Sequence, residues 1–199
     1  MKELFPHIFE WSWYSEEKGY NFNGHVVTGK EGCVIVDPPP LNESDLAWLE
    51  QHRPYAAILL TNRDHTREAD SLRKRLGIPV YASELDAPLM EIKADRTYKN
   101  QDILPGGLKA IYIPDNKSPG ETALLLEEGK GVLILGDALI AKQPGRLTLM
   151  PPEKYSDPDK ARKGIRALLN HDFDAVLVGD GYSILSGGKE VIRQFLQAP

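Results

Sequence analysis

A single cysteine, no long apolar run and no surplus of basic residues remove several functional classes from consideration for this 199-residue chain. Cys33 stands alone, so an intramolecular disulfide is impossible. Its place in the apolar run Cys33-Val34-Ile35-Val36 is that of a buried strand residue rather than of a nucleophile. No segment is apolar for the roughly 20 residues that a spanning helix needs, and Met1-Lys2-Glu3-Leu4-Phe5-Pro6 has no stretch of signal-peptide length. The expectation is a soluble, cytoplasmic chain with no membrane partner. Lysine and arginine total 24 against 29 aspartate and glutamate, and the resulting net charge of −5 is spread with both signs interspersed. That balance argues against nucleic acid as a partner and leaves room for a small local phosphate pocket. Repeats and low-complexity linkers are missing too, and a chain of this length buries about 70% of its unfolded surface around one core. A single domain over 1–199 is expected.

The segments that are present alternate between strand and helix. Two apolar runs between His25 and Asp37 flank Gly29-Lys30-Glu31-Gly32, whose glycines permit the positive backbone angles of a hairpin turn. After Pro38-Pro39-Pro40, Asn42 can cap a helix carrying Leu46, Ala47 and Leu49 that ends before Pro54. A buried strand follows over 56–60, then a helix over 68–76 stopped by Gly77, then a strand over 78–82. The middle of the chain changes character. Apolar runs over 108–113, 122–126 and 132–135 are separated by Pro/Gly turns too short for crossover helices, so they should pair antiparallel. Ser156 or Asp157 can cap a helix with Pro158 in its first turn, continuing through Ile165, Leu168 and Leu169. A strand over 175–178 and a helix over 189–197 close the chain. Two such halves, each a sheet with helices on one face, would stack as an α-β-β-α sandwich with a site built from loops at one sheet edge.

Four short segments carry the chemistry: Leu60-Thr61-Asn62-Arg63-Asp64-His65-Thr66-Arg67, Lys117-Ser118-Pro119-Gly120-Glu121, Gly136-Asp137 and Gly179-Asp180-Gly181. In order and spacing the chain resembles the metallo-β-lactamase superfamily over most of its length. The run from Asn23-Gly24-His25 to Val36-Asp37-Pro38 is similar to the opening hairpin of that family, and Leu59-Leu60-Thr61 to the strand entering its H-x-H-x-D-H loop. Lys117-Ser118-Pro119-Gly120 is similar to the H-[ST]-x-G segment, Leu135-Gly136-Asp137 to the strand-ending G-D, and Val178-Gly179-Asp180-Gly181 to the terminal G-H-[GS]. The resemblance implies the metallo-β-lactamase α-β-β-α fold, two metal ions, commonly zinc, and attack by a metal-bound hydroxide. It puts Asn62, Asp64, Thr66 and Arg67 in the ligand slots of the first motif, and Lys117, Asp137 and Asp180 in the other three. Of these only Asp137 is the family's own ligand type, and His65 falls in a variable slot.

Zinc prefers imidazole and thiolate, and a catalytic site usually supplies three protein ligands with one open position. The oxygen donors Asn62, Asp64, Asp137 and Asp180 suit Mg²⁺ or Mn²⁺ better, so the cofactor expectation is none or one divalent cation rather than a zinc pair. Carboxylates converging at ~5 Å repel by roughly 3 kcal/mol per pair at an effective dielectric of ~20. The ammonium of Lys117 could neutralise them from among Asp64, Asp137 and Asp180, replacing metal charge, and Arg67 would further repel a divalent ion. Asp64, His65 and Lys117 are the candidate catalytic residues, with Asp64-His65 as a base and its orienting partner. Arg67 and Tyr182 are the candidate substrate contacts. Lys117 could also be a solvated loop lysine, and Glu121 could add a carboxylate or face water. His7, His25, His52 and His171 have no partner at ligand spacing. The aromatics Trp11, Trp13 and Tyr14 suit a pocket cover, a dimer contact or an ordinary half-buried strand, and 142–155 either borders the mouth or is a surface connection.

Two function classes follow. One is a hydrolase of this superfamily with a remodelled metal site, acting on a small ester, thioester, amide or phosphoester through metal-activated water. The other is a catalytically degenerate, metal-free relative that binds a small anionic ligand or a protein partner through the same cleft. A purely structural scaffold is a third class, and homo-oligomerisation is left open.

Overall fold

A computed structural model of the protein describes residues 1–29 and 31–198. Its first half is a seven-stranded sheet in sequential order: β1 (Lys2–Phe5), β2 (Ile8–Ser15), β3 (Tyr20–Gly29), β4 (Gly32–Val36), β5 (Tyr55–Leu59), β6 (Val80–Ser83) and β7 (Arg96–Tyr98). Strands β1 to β4 pair antiparallel, and β4 to β7 pair parallel. The parallel part needs crossovers, supplied by α1 (Glu43–Gln51) between β4 and β5 and α2 (Ala69–Leu76) between β5 and β6. The β3–β4 hairpin closes with Gly29 paired to Gly32; Lys30, at the centre of the expected turn, lies outside the described residues.

The second half is a four-stranded sheet built from β8 (Lys109–Tyr112), β9 (Thr122–Leu126), β10 (Val132–Leu135) and β13 (Ala175–Val178), in the order β13-β10-β9-β8. The three runs expected to be antiparallel neighbours are so, and β13 adds in parallel to β10. Between β10 and β13 the chain forms the small ribbon β11 (Ile140–Gln143) and β12 (Arg146–Thr148), then α3 (Pro158–Gly164); α4 (Gly188–Gln197) closes the chain.

The apolar runs read as continuous because both faces of each sheet are covered. Val34 and Val36 face Leu124, Leu126, Ile134 and Leu177 between the sheets. Cys33 and Ile35 on the same strand face Leu49, Leu72 and Leu76 of α1 and α2. On the other outer face, Leu125, Leu133 and Val176 pack on Ile165, Leu168 and Ile192. The layers are therefore α-β-β-α, the expected sandwich.

Local details follow side-chain chemistry. Asn42 caps α1 by accepting from the Asp45 amide, and Asp157 rather than Ser156 caps α3. The helix expected to run on through Leu169 changes at Gly164, which packs tightly on the Pro114 carbonyl, into a 3₁₀ segment over Ile165–Asn170. Burial pushes the Cys33 thiol up, in keeping with an inert strand cysteine. Among the described residues, no helix is long and apolar enough to cross a membrane.

Candidate functional site

The loops that leave β4, β5, β10 and β13 meet at one edge of the sandwich. After β5, Asn62 accepts a hydrogen bond from the Asp64 amide and caps a single 3₁₀ turn, Arg63–His65. An extended loop would have sent the side chains of 62, 64 and 66 one way. The turn instead sends His65 inward, where its side chain is 2% exposed, and leaves Asp64 at the rim at 43%. The residue in the variable slot of the motif thus reaches the centre.

His65 lies between two carboxylates: Nδ1 is 2.8 Å from Asp37 Oδ2 and Nε2 is 3.3 Å from Asp137 Oδ1. Asp37, at the end of β4, also accepts from the Thr61 amide at 2.8 Å and from the Thr61 hydroxyl. The second oxygen of Asp137 accepts from the Lys117 ammonium, which also pairs with Asp64 Oδ2 at 2.9 Å. Arg67 donates from Nη2 to Asp180 Oδ1 at 3.0 Å, and its guanidinium lies 4.2 Å over the Phe22 ring. Asp180 is held in place by a β-bridge to Phe22, next to Asn23, whose amide donates to the carbonyls of Val178 and Gly181. Beneath them, buried Glu121 accepts from the Ala138 amide at 3.1 Å and from Asn62 Nδ2 at 3.4 Å, while its Oε2 has no partner among the described residues.

The glycines of the motifs are there because of close approach. A Cβ at Gly136 would lie 2.1 Å from Thr61 Oγ1, and one at Gly179 would lie 2.8 Å from the His65 ring. Only glycine lets β10 and β13 end this near the Thr61–His65 loop.

Fixed charges set the protonation states. Burial and Arg67 oppose protonation of His65, but the carboxylates of Asp37 and Asp137 outweigh them and push its pKa up to about 10. Burial would raise Asp137, yet His65 and Lys117 hold it well below the usual carboxylate range. Lys117 is held above its ordinary value against burial by Asp137 and Asp64. Burial drives Glu121 well upward, reinforced by Asp137 and opposed by His65. Asp180 is also raised, burial outweighing its cationic neighbours.

His65, Asp137 and Asp180, all buried, each present a ligand atom within 4.8 Å of the others and could hold a cation. The expected oxygen set is gathered only in part. Asn62 spends its amide on the 3₁₀ turn and Glu121, and Asp64 stays at the rim with Lys117. Lys117 meets Asp64 and Asp137, but Asp180 belongs to Arg67. Asp64 and His65 do not form a base and orienting pair, because the turn points them apart and Asp37 orients the imidazole. Tyr182 is 51% exposed, its amide bonded to the Ala141 carbonyl. Asp37 was not singled out from the sequence as a site residue; its one signal was its position ending an apolar strand directly before Pro38.

These features, in this fold, define a class. The chain belongs to the metallo-β-lactamase superfamily, whose family model matches residues 1–198. No sequence match was found among curated proteins. Solved structures share the fold at low identity. A metallo-β-lactamase from Pontibacter korlensis is 19% identical with a TM-score of 0.77, over 96% of this chain and 97% of that one. The DIM-1 metallo-β-lactamase exposed to ceftazidime is 17% identical with a TM-score of 0.80, over 98% and 95%. TTHA1623 in a di-iron-bound form is 24% identical with a TM-score of 0.71, over 90% and 96%.

Proposed function

We propose that this chain keeps the hydrolase-type cleft of its superfamily but supplies the positive charge there from Lys117, Arg67 and protonated His65 instead of a metal pair, and that the cleft receives a small anionic ligand. The observation that carries this reading is the occupancy of the carboxylates. Asp137 accepts from His65 with one oxygen and from Lys117 with the other, and Asp180 accepts from Arg67. Three cations face the four carboxylates Asp37, Asp64, Asp137 and Asp180.

The donor set does not fit two zinc ions. Among the described residues, one imidazole and no thiolate reach the cluster, short of the nitrogen and sulfur donors that zinc favours. A cation would also have to displace Lys117 from Asp137. The anionic character of the ligand is supported by Arg67, whose Nη1 is buried without a partner among the described residues and so has a donor left for an incoming oxygen. A carboxylate or phosphate presents such oxygens.

A second reading rests on the His65, Asp137 and Asp180 cluster, whose spacing suits one hard cation and a mononuclear hydrolase of small esters or phosphoesters. Thermal shift with inorganic phosphate or malonate, run beside an ester and phosphoester turnover screen in Zn²⁺, Mn²⁺ or Mg²⁺, separates the two. The proposed reading expects anion-dependent stabilisation that is lost in Arg67→Ala, with no divalent-dependent turnover. Turnover that requires the cation and disappears in Asp137→Ala would establish the second reading instead.

A further inference from the structure

We infer that Asp86, which touches none of the charged groups of the site, is the residue that positions Lys117 on Asp137; the inference rests on the charge-network reading above. Asp86 is fully buried in the loop after β6. Its carboxylate accepts from two different loops. One donor is the Arg63 amide at 2.9 Å, at the start of the 3₁₀ turn that carries Asp64 and His65. The others are the Ser118 hydroxyl and the Gly120 amide, the latter at 2.7 Å, on the loop that carries Lys117.

The geometry leaves the lysine loop little freedom. A Cβ at Gly120 would lie 2.7 Å from both Asp86 Cγ and Ser83 Oγ, so this loop is seated directly on the Asp86 carboxylate. Above it the same two loops meet again where Lys117 Nζ reaches Asp64 at 2.9 Å. The other links between the loops are the Thr122 amide to the Thr61 carbonyl at 2.9 Å and Asn62 to Glu121 at 3.4 Å, both on the far side of Ser118 from Lys117 in sequence. A long, flexible ammonium side chain keeps two partners only if its backbone is fixed; the Lys117 amide has a local bond to Asn116 Oδ1 at 2.9 Å, and the bonds that tie its loop to the loop after β6 run from Ser118 and Gly120 to Asp86. A carboxylate suits this task better than an amide, because all the converging groups are donors and Asn would turn its NH₂ toward at least one of them.

Competitive acetylation of lysines, read residue by residue by mass spectrometry, tests this. In the wild type Lys117 should react far more slowly than Lys74, which is 72% exposed. In Asp86→Asn, Lys117 should become about tenfold more reactive, the factor that loss of one charge-assisted hydrogen bond amounts to. Lys189, equally shielded at 19% exposure but paired with Asp172 elsewhere, should not change. Ser118→Ala removes a single donor and should move Lys117 in the same direction, which keeps the test open if Asp86→Asn does not fold. Unchanged Lys117 reactivity in a folded variant, or Lys117 and Lys189 rising together, overturns the positioning role. Lys117 reacting as fast as Lys74 in the wild type overturns the charge network itself, a result distinguishable from the first.

Discussion

Lys117 carries two ion pairs, and removing it would leave Asp137 buried beside Asp180 and Asp64 with one cation fewer. Breaking such a pair by deleting one partner costs about 3–5 kcal/mol, because the surviving charge remains desolvated. Lys117→Ala should therefore lower the melting temperature sharply in chelator, and part of the loss should return with Mg²⁺ or Mn²⁺, which scanning calorimetry would detect. An unchanged melting temperature would show that the ammonium is not part of the network. The pH dependence has a definite sign. His65 binds its proton more tightly folded, with a pKa of about 10, than unfolded at about 6.5, so its contribution is complete below pH ~6.5 and disappears as pH rises toward 10. Glu121, also raised, acts in the same direction from its own unfolded pKa upward. Urea denaturation across pH 6 to 10 should show stability falling steadily, and less steeply in Asp37→Asn, where His65 has lost one carboxylate. A flat wild-type profile would contradict the protonated imidazole. At this scale the sequence was legible for Asp137, Asp180, Lys117 and Arg67, because each stands in a motif. It was not legible for His65 against Asp37, 28 positions apart, since that pairing depends on how the loop turns.

The decisive element is the three-residue 3₁₀ turn Arg63–His65. Its capping residue Asn62 holds the Asp64 amide, and Asn62→Ala should cost about 1 kcal/mol as caps generally do. It should also free His65 to leave the pocket, visible as a shift of its ring resonances toward those of an exposed imidazole. Gly136→Ala is expected to be far worse, since the new methyl would meet Thr61 Oγ1 at 2.1 Å; low soluble yield or a strongly depressed melting temperature would report it. Gly145→Ala, where nothing lies within 4 Å of the added carbon but φ is +73°, should cost only the backbone strain of about 1 kcal/mol. The strands built on apolar runs and the helices were readable because those runs and caps are local; β1, β7 and the β11–β12 ribbon, which have no such run, were not. The 3₁₀ turn was not, because Asn62-Arg63-Asp64-His65 carries no periodicity and its shape depends on partners at Glu121 and Asp37.

For the molecule as a whole, the sandwich could be anticipated from the order of apolar runs, since the Val34/Ile35 and Leu124/Leu125 alternation serves two cores at once. The superfamily was legible from four motifs kept in register while most of their ligand residue types changed and Asp137 kept its own. Which of those residues converge was not, because it depends on where two sheets end relative to each other, a distance no single strand encodes. That Lys117, Arg67 and His65 supply the positive charge of the site in place of metal is tested most directly by metal content. Untagged protein purified without chelator and dialysed in turn against Zn²⁺, Mn²⁺ and Mg²⁺ would be assayed by plasma mass spectrometry beside Lys117→Ala and Asp137→Ala. The wild type should hold well under one equivalent with every ion, and Lys117→Ala should gain metal. About one equivalent retained by the wild type and lost in Asp137→Ala would overturn the charge network.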